Sequence, residues 1–146
     1  MIRGVEVLLA RRSSKRRLYP DAWDVPGGHC AGNEALEATL VRELQEEIGI
    51  TAREYQALAV LGEPQPSEHG EAEYHVFIVT AWGGGEPHLR GSEHSELGWF
   101  TVDQALGLWL AHPAYPGLLR AVLTGTGRPM TAIDPALHPP PPSRRG

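Results

Sequence analysis

The sequence is poor in the features that mark secreted, disulfide-stabilised and membrane-bound proteins. Cys30 is the single cysteine among 146 residues, so no internal disulfide can form, which fits a reducing cytosol. The apolar run that precedes Arg11 is far too short for a signal peptide or a membrane span. We therefore expect a cytoplasmic protein that makes no membrane contact.

An excess of basic residues is also missing. The chain has 13 Lys and Arg against 18 Asp and Glu, which gives a formal net charge of −5. Proteins that bind duplex nucleic acid usually present a basic face, so we expect no such partner. The acidic balance does not exclude a phosphate-bearing small molecule, because bound metal ions reverse the local sign of an acidic site.

The length fits one domain, and no internal repeat is visible. We assign the domain to residues 1–127 and expect the Pro-rich segment 128–146 to be disordered or polyproline II. The predicted order is strands, helix, strands, helices, which is typical of an α+β or α/β layered domain with a mixed sheet. Strands are predicted at 5–10, 23–25, 55–61, 73–82 and 96–101, a loop at 62–72, and helices at 34–48, 103–111 and 115–124.

The segment 34–48 has the clearest helical pattern. Asn33 suits the N-cap, Glu34 then falls in the positively polarised first turn, and Gly49 is a natural left-handed stop. Five apolar side chains share one stripe and are expected to face the core, namely Leu36, Leu40, Val41, Leu44 and Ile48.

Three acidic residues of this helix, Glu43, Glu46 and Glu47, form an adjacent stripe, since positions three and four apart are neighbours. Carboxylates this close repel one another, and a hard divalent cation with oxygen ligands is the usual counterpart. A solvated acidic face is the alternative, and for a bare ExxEE pattern it is the commoner one. The Pro-Gly-Gly turn at 26–28 and Arg42 beside the acids favour a metal or anion site.

Together these residues resemble the box of the Nudix hydrolases, G-x5-E-x7-R-E-U-x-E-E-x-G-U, where U is aliphatic. The positions that match, without a gap, are Gly28, Glu34, Arg42, Glu43, Leu44, Glu46, Glu47, Gly49 and Ile50. The segments LLARR at 8–12, WDVPGG at 23–28 and EHSELGWF at 93–100 are similar to MutT-like members of the family. The resemblance thus extends over roughly residues 5–124.

This resemblance implies the Nudix fold, an α/β/α layered α+β domain whose mixed sheet lies between helices and whose box is a loop-helix-loop. It also implies hydrolysis of a diphosphate linked to another group, usually a nucleoside, with Mg²⁺ or Mn²⁺ as cofactor. On the same grounds Glu43, Glu46 and Glu47 ligate the metal, and the Gly28 carbonyl adds a ligand. Arg42 then orients the acids together with Glu34.

Five residues other than the defined positions of the box are further candidates. Glu93, with Glu96 as second choice, is either a metal ligand or base, or a solvated loop residue. Arg12 is a candidate for a phosphate contact. His29 either touches phosphate or lies exposed in its loop. Tyr115 either stacks on a base or packs in the core.

The sequence departs from the family in two places. Only residues 1–4 precede the first matching strand, so we expect the family's first strand to be short or missing. MutT-like enzymes that read oxidised guanine use an Asn near the final helix, whereas residues 112–117 carry Tyr115 and no Asn. Pro66 lies 16 residues after the box, a spacing weakly typical of ADP-ribose enzymes.

Three functions are therefore open. The leading one is a MutT-like (d)NTP pyrophosphohydrolase, with 8-oxo-dGTP among its candidate substrates, that releases a nucleoside monophosphate and pyrophosphate. The second is an ADP-ribose or nucleotide-sugar pyrophosphatase. The third is a nucleotide sensor without catalysis, against which the complete set of acids argues. In each case the partner is a nucleotide-type small molecule, and the protein is a monomer or a homodimer.

Overall fold

The protein is represented by a computed structural model that describes residues 1–27 and 33–124. Gly28 and His29 lie outside the described residues, as does the Pro-rich tail. Within the described ranges the chain forms β1 (Ile2–Arg3), β2 (Glu6–Arg12), β3 (Trp23–Asp24), α1 (Leu36–Ile48), β4 (Thr51–Gly62), α2 (Pro66–His69), β5 (Glu73–Gly83), β6 (His94–Phe100), α3 (Val102–Leu106) and α4 (Tyr115–Leu123).

Strand β2 is the centre of a four-stranded sheet. It pairs antiparallel with β1, β3 and β6. Strands β4 and β5 form a separate antiparallel pair. The parallel component of the expected mixed sheet is a bridge between Trp23 and Leu110, next to which the Ala111 N–H donates to the Trp23 carbonyl at 2.7 Å.

The alternation of side chains along β2 divides the core into two layers. Val7 and Leu9 are buried in the cluster that also contains Leu118 of α4. Leu8 points to the opposite face and packs in the cluster that contains Leu44 of α1. The sheet around β2 therefore lies between helices, which confirms the layered α+β architecture predicted from the sequence.

Helix α1 begins two residues later than predicted. Its N-cap is Ala35 rather than Asn33, and no side chain caps it. Glu34 lies before the helix, not in its first turn, because its carboxylate accepts two hydrogen bonds from Arg42. The predicted stop is confirmed, since Gly49 adopts a left-handed conformation with φ 70°.

The apolar stripe of α1 is buried toward its C-terminal end. Leu44 and Ile48 are 2% and 0% exposed, and Leu40 and Val41 pack partly buried against the same cluster. The prediction that Leu36 faces the core is wrong, because this residue is 37% exposed. It lies in the first turn of the helix, where α1 borders a cavity.

Three further boundaries differ from the prediction. Strand β4 begins at Thr51, directly after the turn that ends α1. The predicted loop at 62–72 contains the single-turn helix α2, whose first residue is Pro66, a position that suits proline. Helix α3 ends at Leu106, where Gly107 closes it. None of the helices in the described part of the chain is long and apolar enough to cross a bilayer.

Candidate active site

Arg42 is the centre of a cluster of ion pairs on α1. Its guanidinium donates two parallel hydrogen bonds to Glu34, from Nε to Oε2 and from Nη2 to Oε1, both at 2.8 Å. Nη1 donates to Glu43 at 2.9 Å and to Glu46 at 3.1 Å. The hydrogen bonds to Glu34, and then those to Glu43, raise the pKa of Arg42 further. Arg42 therefore ties the segment before α1 to the acidic stripe through charge-assisted bonds.

Glu47 belongs to a second acidic pair, with Glu93 of the loop before β6. Its side chain is 12% exposed, and its Oε2 lies 3.3 Å from Nδ1 of the buried His94. The pKa of Glu47 is raised to about 7, first by burial and then by the hydrogen bond to Glu93 and the charges of Glu93 and Glu43. Glu47 thus titrates near neutral pH, whereas an ordinary glutamate is ionised there.

Glu93 is the member of this pair that stays ionised. Burial alone raises its pKa, but the hydrogen bond with Glu47 and the charge of Arg16 outweigh burial, so that the pKa is lowered. Arg16 Nη1 lies 3.1 Å from Glu93 Oε2, and the Ser13 N–H donates to the Glu93 carbonyl at 2.9 Å. Burial lowers the pKa of His94, so its contact with Glu47 is a hydrogen bond between a neutral ring and a carboxyl group.

The chemistry of this donor set fits a hard divalent cation. Carboxylate oxygens are the ligands that Mg²⁺ takes from proteins, and a cation among them would relieve the repulsion from Glu93 and Glu43 that helps to raise the pKa of Glu47. Among the described residues, no group of three or more Asp, Glu, Cys or His side chains is arranged so that it could hold a metal ion. The reason is visible at Glu43 and Glu46, whose carboxylates are turned to Arg42.

A cavity of about 740 Å³ adjoins these acids. Its size is in the range of small-molecule sites. Glu43, Glu93 and Arg16 line one part of it, and apolar side chains of β4, β5 and α4 line another, namely Leu58, Val76, Ile78, Leu118, Leu119 and Val122. The cavity therefore joins a charged region to an apolar region, which suits a ligand that has a polar and an apolar end.

Arg12 and Tyr115 line this cavity, and both bind Asp24. Arg12 Nη1 donates to Asp24 Oδ2 at 3.1 Å, and the Tyr115 hydroxyl donates to Asp24 Oδ1 at 2.6 Å. Arg12 Nε also donates to the Leu18 carbonyl at 2.9 Å. Tyr115 is 7% exposed, and its ring lies against that of His112 at 5.5 Å between centroids. Both residues thus stabilise the wall of the cavity through their hydrogen bonds to Asp24.

Sequence analysis did not single out Glu63, which lines the same cavity and is 5% exposed. Tyr19 and Tyr74 both donate their hydroxyl hydrogens to its carboxylate. In the sequence Glu63 is an ordinary acid in a Pro-rich loop, and the two tyrosines are 44 and 11 residues away. No local pattern predicts a contact of that range. Of the other candidates, Glu96 is an exposed residue of β6.

The family model described as NUDIX domain matches residues 1–122. The CTP pyrophosphohydrolase of Escherichia coli K12 is 32% identical over 123 residues, which are 83% of this chain and 84% of that protein. The 8-oxo-dGTP diphosphatase of Proteus vulgaris is 35% identical over 86 residues, which are 59% and 74% of the two chains. The crystal structure of a MutT NUDIX hydrolase from Burkholderia pseudomallei has a TM-score of 0.66 at 30% identity and covers 71% of this chain and 79% of that one.

The resemblance to MutT-like Nudix hydrolases is thereby confirmed. Nudix hydrolases generally use a divalent metal ion, and the relatives act on nucleotides. The box residues of the described part of the chain lie together on and beside α1, at the edge of a cavity. The chain belongs to the Nudix family and is a hydrolase of phosphoric anhydride bonds.

Proposed function

We propose that the protein is a Mg²⁺-dependent, MutT-like pyrophosphohydrolase of (d)NTPs, with 8-oxo-dGTP among its candidate substrates. It releases a nucleoside monophosphate and pyrophosphate. The observation that carries the proposal is the cavity that joins the acids to an apolar region. A nucleoside triphosphate has the same division into a charged and an apolar end. The activities named for the relatives, CTP pyrophosphohydrolase and 8-oxo-dGTP diphosphatase, support it.

The acids fit the metal that such a reaction requires. Glu43, Glu46 and Glu47 are the proposed ligands, with the Gly28 carbonyl as a further one. Of the two roles open to Glu93, metal ligand or base, we assign the base. When bound, Mg²⁺ neutralises phosphate charge and lowers the pKa of a coordinated water. Arg42 is tied to Glu34 and to two of these acids, so its proposed role is to position the ligand-bearing face of α1.

In the proposed reaction the oxygen of a water molecule attacks phosphorus, and the anhydride bond between the α and β phosphates breaks. The water proton passes to a carboxylate, and the bonding electrons leave with pyrophosphate. We assign the acceptor to Glu93, because Arg16 and the hydrogen bond with Glu47 favour its ionised form. Arg16, 3.1 Å from Glu93, is placed to balance charge beside it.

Three residues are proposed to shape the substrate site. Arg12 and Tyr115 act through Asp24, which both bind. Arg12 also brings a cation to the cavity lining for a phosphate contact. His29, which follows Gly27 and Gly28 in the sequence, is proposed as a second phosphate contact. The single cysteine agrees with a cytoplasmic location.

Product analysis tests the proposal. Purified protein with Mg²⁺ is given canonical and 8-oxo (d)NTPs, ADP-ribose and nucleotide sugars, and the products are separated by ion exchange. We expect monophosphate and pyrophosphate from triphosphates. Two monophosphates from ADP-ribose or a nucleotide sugar would replace the proposal with the second function. Tight binding without turnover of any compound would point to a sensor.

Substitutions test the metal assignment. We expect Glu46→Gln and Glu47→Gln each to reduce Mg²⁺-dependent turnover by about 100-fold or more, as loss of a charge-stabilising group does. The matched control is Glu37→Gln, an exposed glutamate in the first turn of the same helix, which should keep the wild-type rate. An unchanged rate in both site variants would disprove the metal assignment.

A further inference from the structure

A cluster of three buried or half-buried polar residues in the cavity has no role in the proposed hydrolysis. We call Glu63, Tyr19 and Tyr74 the Glu63 cluster. The Tyr19 hydroxyl donates to Glu63 Oε1, and the Tyr74 hydroxyl donates to Oε2 at 2.5 Å. The Gln65 N–H adds a bond to Oε1 at 3.2 Å. All three members of the cluster are part of the cavity lining.

Both hydroxyl hydrogens of this cluster already take part in hydrogen bonds. A carboxylate has about four acceptor positions, and three described donors occupy three of them. Each tyrosine has given its single hydroxyl hydrogen to Glu63, so its oxygen can only accept a further bond. Burial raises the pKa of Glu63, but the bonds from Tyr19 and Tyr74 outweigh it and lower the pKa. The cluster therefore presents only acceptors at neutral pH.

A neighbouring group does not change this character. His112 is 4% exposed, and its Nδ1 accepts from the Ala114 N–H at 3.0 Å. Its Nε2 must then carry the hydrogen, which it directs to the Gly62 carbonyl at 2.9 Å. The ring of Tyr74 packs against that of His112 at 6.3 Å between centroids. His112 thus supports the wall behind Tyr74, and both of its ring nitrogens are engaged by the backbone.

We infer that the Glu63 cluster selects the nucleobase, by accepting a hydrogen bond from an exocyclic amino group. A base with a carbonyl oxygen at this point would bring that oxygen against the acceptors of the cluster, and no hydrogen would be available to form a bond between them. This inference rests on the proposed function, because it takes the cavity to be the nucleotide site. It names Glu63 as a specificity-determining residue that takes no part in the bond cleavage.

The expected preference follows from hydrogen-bond energetics. A hydrogen bond to a charged acceptor in a largely buried site discriminates by about 10- to 100-fold against a ligand that cannot make it. The clearest comparison is between two nucleoside monophosphates whose bases have the same ring size. CMP and UMP differ by an amino group against a carbonyl oxygen, and GMP and IMP differ by the presence of one amino group.

Equilibrium binding of these monophosphates in Mg²⁺, measured by calorimetry, tests the inference without relying on turnover. We expect the wild type to bind the amino base of at least one pair about tenfold or more tightly than its counterpart. We expect Glu63→Gln to reduce that ratio to about threefold or less, because it removes the charge that strengthens the bond to an amino group and, for UMP, introduces amide hydrogens that the carbonyl oxygen accepts. Glu71→Gln, an exposed loop residue outside the cavity lining, should keep the wild-type ratio.

A second variant keeps the buried carboxylate and so tests the inference even if Glu63→Gln does not fold. Tyr74→Phe leaves the Glu63 carboxyl group and its bonds from Tyr19 and Gln65 in place and frees one acceptor position, so the preference for the amino base should persist. Equal affinities within both pairs for the wild type, or no binding of any of the four, would overturn the inference. Turnover of triphosphates without such a preference would do so while leaving the proposed function intact. A preference that survives Glu63→Gln would assign selection to another residue.

Discussion

Substitution of Glu47 by Gln should stabilise the metal-free protein, although the same substitution is expected to reduce Mg²⁺-dependent turnover. The carboxyl group of Glu47 is largely buried beside Glu93, and its pKa is raised to about 7, first by burial and then by its acidic neighbours. An acid whose pKa is higher in the folded than in the unfolded state binds protons preferentially in the folded state. Folding stability must therefore fall as the pH rises between the two values.

The size of this effect can be worked from the shift. A rise in pKa from 4.5 to about 7 corresponds to about 3.5 kcal/mol, at about 1.4 kcal/mol for each pKa unit. Solvent screening at a partly accessible group reduces the figure to about 1–2 kcal/mol. The penalty is absent below pH 4.5 and complete above about 7. Gln removes the charge, and it keeps an amide that can still pair with Nδ1 of His94.

Urea unfolding followed by tryptophan fluorescence, in EDTA at pH 5 and pH 8, measures this difference. We expect Glu47→Gln to exceed the wild type by about 1–2 kcal/mol at pH 8, and by much less at pH 5. Glu37→Gln, on the exposed first turn of α1, should differ from the wild type by less than about 0.5 kcal/mol at both. A Glu47→Gln variant that is no more stable than the wild type at pH 8 would refute the reasoning.

Three other outcomes follow from the structure. Arg42→Lys should lower the melting temperature and kcat together, because an ammonium group cannot make the paired hydrogen bonds of the guanidinium. Calorimetric scans and initial rates measure the two quantities, and unchanged values would exclude the proposed positioning role of Arg42. Tyr115→Phe should cost about 1.5–3 kcal/mol in urea unfolding, since it removes the 2.6 Å bond to Asp24; a neutral result would mean that water replaces the hydroxyl. Gly49→Ala should lose more than about 1 kcal/mol by the same assay, since φ is 70° and the new Cβ would lie 2.5 Å from His88 Cε1; retained stability would show that His88 moves aside.

The parts of the site that depend on helical spacing were predictable from the sequence. Glu43, Glu46 and Glu47 share a face because positions three and four apart are neighbours on any helix. The contact of Arg42 with Glu46 follows from the same geometry, since the two residues are four positions apart, whereas the contact with its direct neighbour Glu43 does not. The position of Glu34 was predicted less well, since its bonds to Arg42 compete with the first turn of the helix, and a propensity rule does not weigh that competition.

The layers of the fold were predictable for a similar reason, since successive side chains of a strand point to opposite faces and the continuous apolar run of β2 therefore specifies two buried faces. The wall of the cavity was not. Asp24 meets Tyr115 across 91 residues, and Glu63 meets Tyr19 across 44, and such pairs arise only when strands and helices pack. This difference has a functional consequence. If the box supplies the reaction and these long-range contacts supply the selectivity, then exchange of Glu63 should alter which base is bound, while the metal-binding face of α1 keeps its geometry.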